Sequence, residues 1–112
     1  MQKFEYRSPR FSVDLSAQLT LQNSTLIGRC KEISKEGMRL ELRQPPPTNS
    51  VGTVSISHQG RTLQLKVRVA HAGATYGGLV FMYESEKERS SVAHFVASLA
   101  APENPPGPVL VY

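Results

Sequence analysis

The sequence is poor in the residues that usually carry catalysis and metal binding. Its 112 residues include one cysteine, three histidines and no tryptophan. The lone Cys30 cannot form an internal disulfide, and a single thiol suits a reducing compartment. Its place within an apparent strand reads as a small buried hydrophobe, not a nucleophile. His58, His71 and His94 share no metal-ligand spacing with one another or with Cys30. His71 at a strand end and His94 on a helix read as ordinary rim or surface histidines. No Gly-rich phosphate loop, serine nucleophile elbow or helix-borne His-Glu motif is present. The paired carboxylates Glu86 and Glu88 fall in a first helical turn, where the macrodipole accounts for them. The expectation is therefore no enzyme: no catalytic residue, no metal ligand and no cofactor.

Long apolar runs are also missing. No stretch approaches the roughly 18–20 consecutive apolar residues that span a bilayer. The first seven residues, Met1 to Arg7, lack the apolar core of a secretory signal. A cytoplasmic address with no membrane insertion is the expectation. The composition is ordinarily globular, 39% hydrophobic and 20% charged, and the length suits one core. The net charge of +4 is unevenly spread: residues 1–70 hold eleven of the thirteen Lys and Arg against five of the nine acids. A basic first half suggests an anionic partner, or simply a solvated surface.

Alternation is the clearest positive signal. Phe11, Val13, Leu15, Ala17, Leu19 and Leu21 occupy every second position, which predicts a strand with one buried face. Further strands are expected at about Thr25 to Ile33, Met38 to Leu42, Val51 to His58, Arg61 to His71 and Tyr76 to Met82. Gln59-Gly60 reads as a hairpin turn. Pro45, Pro46 and Pro47 mark an irregular connection, since proline cannot join a ladder. Gly77 and Gly78 suggest a bulge or a close backbone approach. The period then changes: Val92, Phe95, Val96 and Leu99 fit one helix over 86–99, opened by the capping-box pair Ser85 and Glu88. Six strands and one helix predict an all-β fold with a C-terminal helix, as a small antiparallel barrel or curled sandwich. The helix is expected to cover an end or an open edge. Residues 101–112, with four prolines and a glycine, read as a flexible tail.

Two short segments stand out. In Tyr6-Arg7-Ser8-Pro9-Arg10, ahead of the first strand, two guanidiniums lie close together. Arginine suits phosphate because its planar fork makes two charge-assisted hydrogen bonds at once. In Glu32-Ile33-Ser34-Lys35-Glu36-Gly37, between the second and third strands, a carboxylate and a hydroxyl could read the donor edge of guanine. Each has a plain alternative. The arginines could be solvated, and Ser34 and Gly37 could be turn residues, with Gly37 supplying a positive φ.

At these residues the sequence resembles a PilZ domain, the bacterial receptor module for cyclic di-GMP. The family pattern is R-x-x-x-R in an N-terminal segment and [D/N]-x-S-x-x-G between the second and third strands. The resemblance covers about residues 5–99, including Tyr76-Gly77-Gly78-Leu79-Val80-Phe81 as the last strand. It implies a six-stranded antiparallel barrel over 10–100, preceded by a flexible ligand-binding arm at 1–9. Arg10 matches the second arginine, and Ser34 and Gly37 match the serine and glycine. Tyr6 stands where the first arginine belongs, with Arg7 one step away. Glu32 replaces the acid or amide and is longer by about 1.5 Å, one C–C bond.

The resemblance implies a cyclic di-GMP receptor using Tyr6, Arg7, Arg10, Glu32, Ser34 and Gly37. Such a receptor, a monomer or weak dimer, would signal to a separate protein partner. The alternative is an adaptor that binds no nucleotide and acts by protein contacts in pilus, flagellar or motility machinery. A nucleic-acid-binding barrel is disfavoured, because Phe11 and Phe81 fall on buried-looking positions and supply no exposed stacking platform.

Overall fold

The alternating segments fold as strands where the sequence places them. A computed structural model describes residues 10–100. Its elements are β1 (Phe11–Thr20), β2 (Thr25–Ile33), β3 (Gly37–Leu42), β4 (Val51–His58), β5 (Arg61–Gly73), β6 (Tyr76–Phe81) and α1 (Glu86–Ala100). The arm at 1–9 and the tail at 101–112 lie outside the described residues.

The strands close into an antiparallel barrel in the order β1-β2-β3-β6-β5-β4. Closure decides between the barrel and the sandwich, and it leaves no open edge for the helix to cover. Instead Val92, Phe95 and Val96 of α1 join the core cluster itself. The Phe95 ring meets His58 at 6.4 Å, beside the β4–β5 hairpin. That hairpin turns through Gln59 (φ 50°) and Gly60 (φ 79°), the pair of positive φ values that a type I′ turn requires. Pro46 is buried against Gly77, so the proline connection from β3 to β4 packs onto the barrel.

Inward positions are filled by Leu19, Ile33, Leu40, Val54, Ile56, Val67 and Val69, all essentially inaccessible. Burying each contributes about 1.5–3 kcal/mol. A barrel needs about eight strands before its interior can hold even one small ligand. With six strands and a packed core, the interior has no room for a ligand.

The capping box forms with one change of detail. Ser85 Oγ accepts the Glu88 N–H at 3.1 Å, while Glu88 Oε1 accepts the Glu84 N–H at 2.8 Å. The carboxylate therefore reaches one residue beyond the cap. Among the described residues no helix is long and apolar enough to cross a membrane.

Candidate functional site

Strand register assembles the site. Ser12 pairs with Glu32, Glu32 with Arg39, Arg39 with Gly78, and Gly78 with His71. One row thus crosses β1, β2, β3, β6 and β5 on the outer face. The register shifts in β2 (between Cys30 and Glu32) and β5 (between Val69 and His71) bring Glu32 and His71 into it. Bulges re-aim side chains in this way because the extra residue breaks the inward–outward alternation.

A cleft of about 280 Å³ runs along this row. Its lining includes Arg10, Glu32, Ser34 and Gly37, four of the six residues singled out from the sequence, together with Arg39 and His71. The remaining two, Tyr6 and Arg7, lie outside the described residues. Arg10 Nη1 donates to Glu32 Oε1 at 3.2 Å, joining segments 22 residues apart. Their side chains are 57% and 36% exposed. An ion pair this open contributes at most about 1 kcal/mol, so a ligand can redirect either group at small cost.

The β2–β3 turn is held at both ends. The Ser34 N–H donates to the Gly37 carbonyl at 2.9 Å, and the Glu36 N–H donates to Ser34 Oγ at 3.1 Å. The Phe81 N–H bonds the Glu36 carbonyl at 2.9 Å. The Tyr83 hydroxyl donates to the Lys35 carbonyl, and Arg89 of α1 lies over the Tyr83 ring at 4.6 Å. Burial pushes the Tyr83 hydroxyl above the usual phenol range, which keeps it a donor. Ser34 is itself buried, so its hydroxyl shapes the turn as well as lining the cleft.

The reason for glycine at position 37 differs from the sequence expectation. Its φ is not positive; among the described glycines only Gly60 is. A Cβ on Gly37 would stand 2.1 Å from the Leu79 carbonyl oxygen, so close approach of β3 to β6 excludes a side chain. At Gly78 the neighbour is a side chain and not the expected backbone: a Cβ there would meet the His71 ring at 2.3 Å.

Arg39 belongs to no motif legible in the sequence, and His71 reads there as a rim residue. Alternation along β3 marks Arg39 as outward, but nothing local tells which outward residues of β2, β5 and β6 adjoin it. Several other first-half cations are satisfied elsewhere. Arg29 Nε and Lys31 Nζ reach Asp14 Oδ1 at 2.6 and 3.3 Å. Hydrogen bonds, Arg29's first and then Lys31's, hold that carboxyl below the usual range. Lys66 pairs with Glu84 at 3.2 Å. Cys30 is fully buried, and desolvation pushes its thiol up to about 12, so it is no nucleophile at neutral pH.

The PilZ domain family model matches residues 6–98. No curated protein sequence matches the chain. Among solved structures, the PilZ domain of CeSA from a cellulose-synthesizing bacterium is similar at TM-score 0.75 and 18% identity, over 83% of this chain and 99% of that one. An uncharacterized Legionella protein is similar at TM-score 0.60 and 18% identity, over 81% and 92%. A Bacillus subtilis inhibitor of motility follows at TM-score 0.70 and 11% identity, over 93% of this chain and 56% of that one. These likenesses concern the fold, which agrees with the closed six-stranded barrel and C-terminal helix described above. The chain belongs to the PilZ domain family, a family of cyclic di-GMP receptor and adaptor modules.

Proposed function

We propose that this domain is a cytoplasmic cyclic di-GMP receptor that binds the dinucleotide in the outer cleft and signals to a separate protein. The observation that carries the reading is the meeting of Arg10 with Glu32 at 3.2 Å, beside the Ser34–Gly37 turn. Motif residues from two separate segments thereby face one cleft. A guanidinium suits a phosphodiester and a carboxylate suits the N1–H and N2–H₂ edge of guanine. The mutual pairing of Arg10 and Glu32 keeps both groups at the cleft without a strong bond to break. Arg7, near Arg10 in the arm, would reinforce the grip on the phosphate that Arg10 holds, and Tyr6 would offer a base-stacking ring.

Calorimetric titration with cyclic di-GMP tests this. The expected result is micromolar or tighter binding by the native protein, lost in Arg10→Ala with the fold intact. Absence of binding by demonstrably folded native protein would refute the receptor reading.

A second reading has its own support. Tyr6 occupies the first arginine position of the family pattern, which removes a phosphate contact. A domain so altered would act as a nucleotide-independent adaptor, and the likeness to an inhibitor of motility fits that role. Partner capture unchanged by the dinucleotide and by Arg10→Ala would favour it.

A further inference from the structure

Arg39 belongs to neither motif, yet register sets it in the middle of the cleft, between Glu32 on β2 and Gly78 on β6. Adjacent strands are about 4.8 Å apart, so Arg39 stands one strand from Glu32 and from the Arg10 guanidinium that Glu32 holds. Three observations distinguish it from a merely solvated arginine. It is exposed and lines the cleft. Among the described residues it makes no ion pair. Its guanidinium centre lies 4.8 Å from the centroid of the Tyr76 ring, a cation–π contact. Stacking of this kind restrains the side chain without neutralising it, so the planar edge with its N–H donors stays available.

The chemistry of the ligand gives that edge a task. A cyclic dinucleotide carries two phosphodiester anions, and one guanidinium fork grips one of them well. With Tyr6 in the first arginine position, Arg10 is the motif arginine left to the cleft among the described residues. Arg39 presents a second guanidinium on a rigid strand, already oriented by Tyr76. Gly78 beside it carries no side chain, and the His71 ring occupies the space so vacated, closing the row at β5. Tyr76 also meets His71 edge-to-face at 5.9 Å, tying the cleft's β3 and β5 sides together through one ring.

We propose that Arg39 is a second anion-gripping residue of the cleft, contacting the phosphodiester that Arg10 does not and offsetting the arginine replaced by Tyr6. The inference rests on the cyclic di-GMP reading above.

The experiment is calorimetric titration of cyclic di-GMP into the native protein, Arg39→Gln, Arg39→Lys and Arg61→Gln at one salt concentration. Arg61 opens β5 at the hairpin, lies outside the cleft lining, and controls for net charge. Arg39→Gln should weaken binding about 10- to 100-fold, the loss of one charge-assisted contact. Arg39→Lys should restore only part of that, since it keeps the charge but loses the fork. Arg61→Gln should stay within about twofold of native. If Arg39→Gln lowers the melting temperature, Arg39→Lys carries the test and must still lose affinity. Native binding with Arg39→Gln and Arg39→Lys unaffected overturns the inference and leaves the receptor reading standing. Equal losses in Arg39→Gln and Arg61→Gln also overturn it, because the effect is then long-range charge. No binding by folded native protein overturns the receptor reading, and the inference falls with it.

Discussion

Replacing Gly37 by alanine should destabilise the protein, although alanine is ordinarily the better strand residue. The new Cβ would lie 2.1 Å from the Leu79 carbonyl oxygen, a backbone atom of β6. Carbon–oxygen contacts are comfortable from about 3.3 Å, so β3 and β6 would have to part by about 1.2 Å. They cannot do so freely, because Gly37 pairs with Val80 and Met38 with Leu79 inside a closed barrel. Overpacking of this kind costs about 1–3 kcal/mol. Restricting the unfolded chain returns only about 0.4–1 kcal/mol. The net loss is therefore about 1–2 kcal/mol, which with a urea slope of roughly 1–3 kcal/mol/M lowers the midpoint by about 1 M. Urea unfolding followed by circular dichroism measures it. Asparagine makes the test discriminating. If glycine were needed for a left-handed φ, Gly37→Asn would be milder than Gly37→Ala, because asparagine tolerates that region. Close approach demands the reverse order. Gly60 is the mirror case, with φ 79° and nothing within 4 Å, so there asparagine should be the milder change. Asparagine proving milder than alanine at position 37, or Gly37→Ala matching the native midpoint, would refute the close-approach argument.

Three further outcomes are expected. The Cys30 thiol, raised from 9.0 to about 12 by burial, is protonated in the folded state where the unfolded chain would ionise. That contribution is complete below pH 9 and is lost as pH rises through 9 toward 12, so the urea midpoint should fall across that window in native protein and fall less in Cys30→Ala. A thiol reagent at pH 8 should label Cys30 only after unfolding, and rapid labelling of folded protein would contradict its burial. Ser85→Ala removes the 3.1 Å acceptor for the Glu88 N–H and should cost about 1 kcal/mol, read as a lower melting temperature; an unchanged transition would mean that water replaces the cap without loss.

The strands were legible because each buries one face, so period-two alternation had to be written into Phe11–Thr20 and Arg61–Gly73. The helix was legible for the same reason at its own period, with Val92, Phe95 and Val96 on one stripe. The Arg10 and Glu32–Gly37 segments could be picked out because their residue types and spacing resemble a known ligand motif. Local sequence also supplied the glycine at position 37, but not why it is there: only the distance to Leu79 across β6 distinguishes close approach from a left-handed turn.

Tertiary structure decided what lies side by side. Closure of β4 onto β1 made the barrel, and register carried Glu32, Arg39, Gly78 and His71 into one row although they are scattered along the chain. Bulges in β2 and β5 set that register, and a bulge depends on the partner strand as much as on its own residues. Hence the sequence alone determined the elements, the inward faces and the motif, through local periodicity and side-chain chemistry. The cleft, with Arg39 at its centre, exists only once the sheet has closed, because adjacency between strands is a property of the fold and of no single segment.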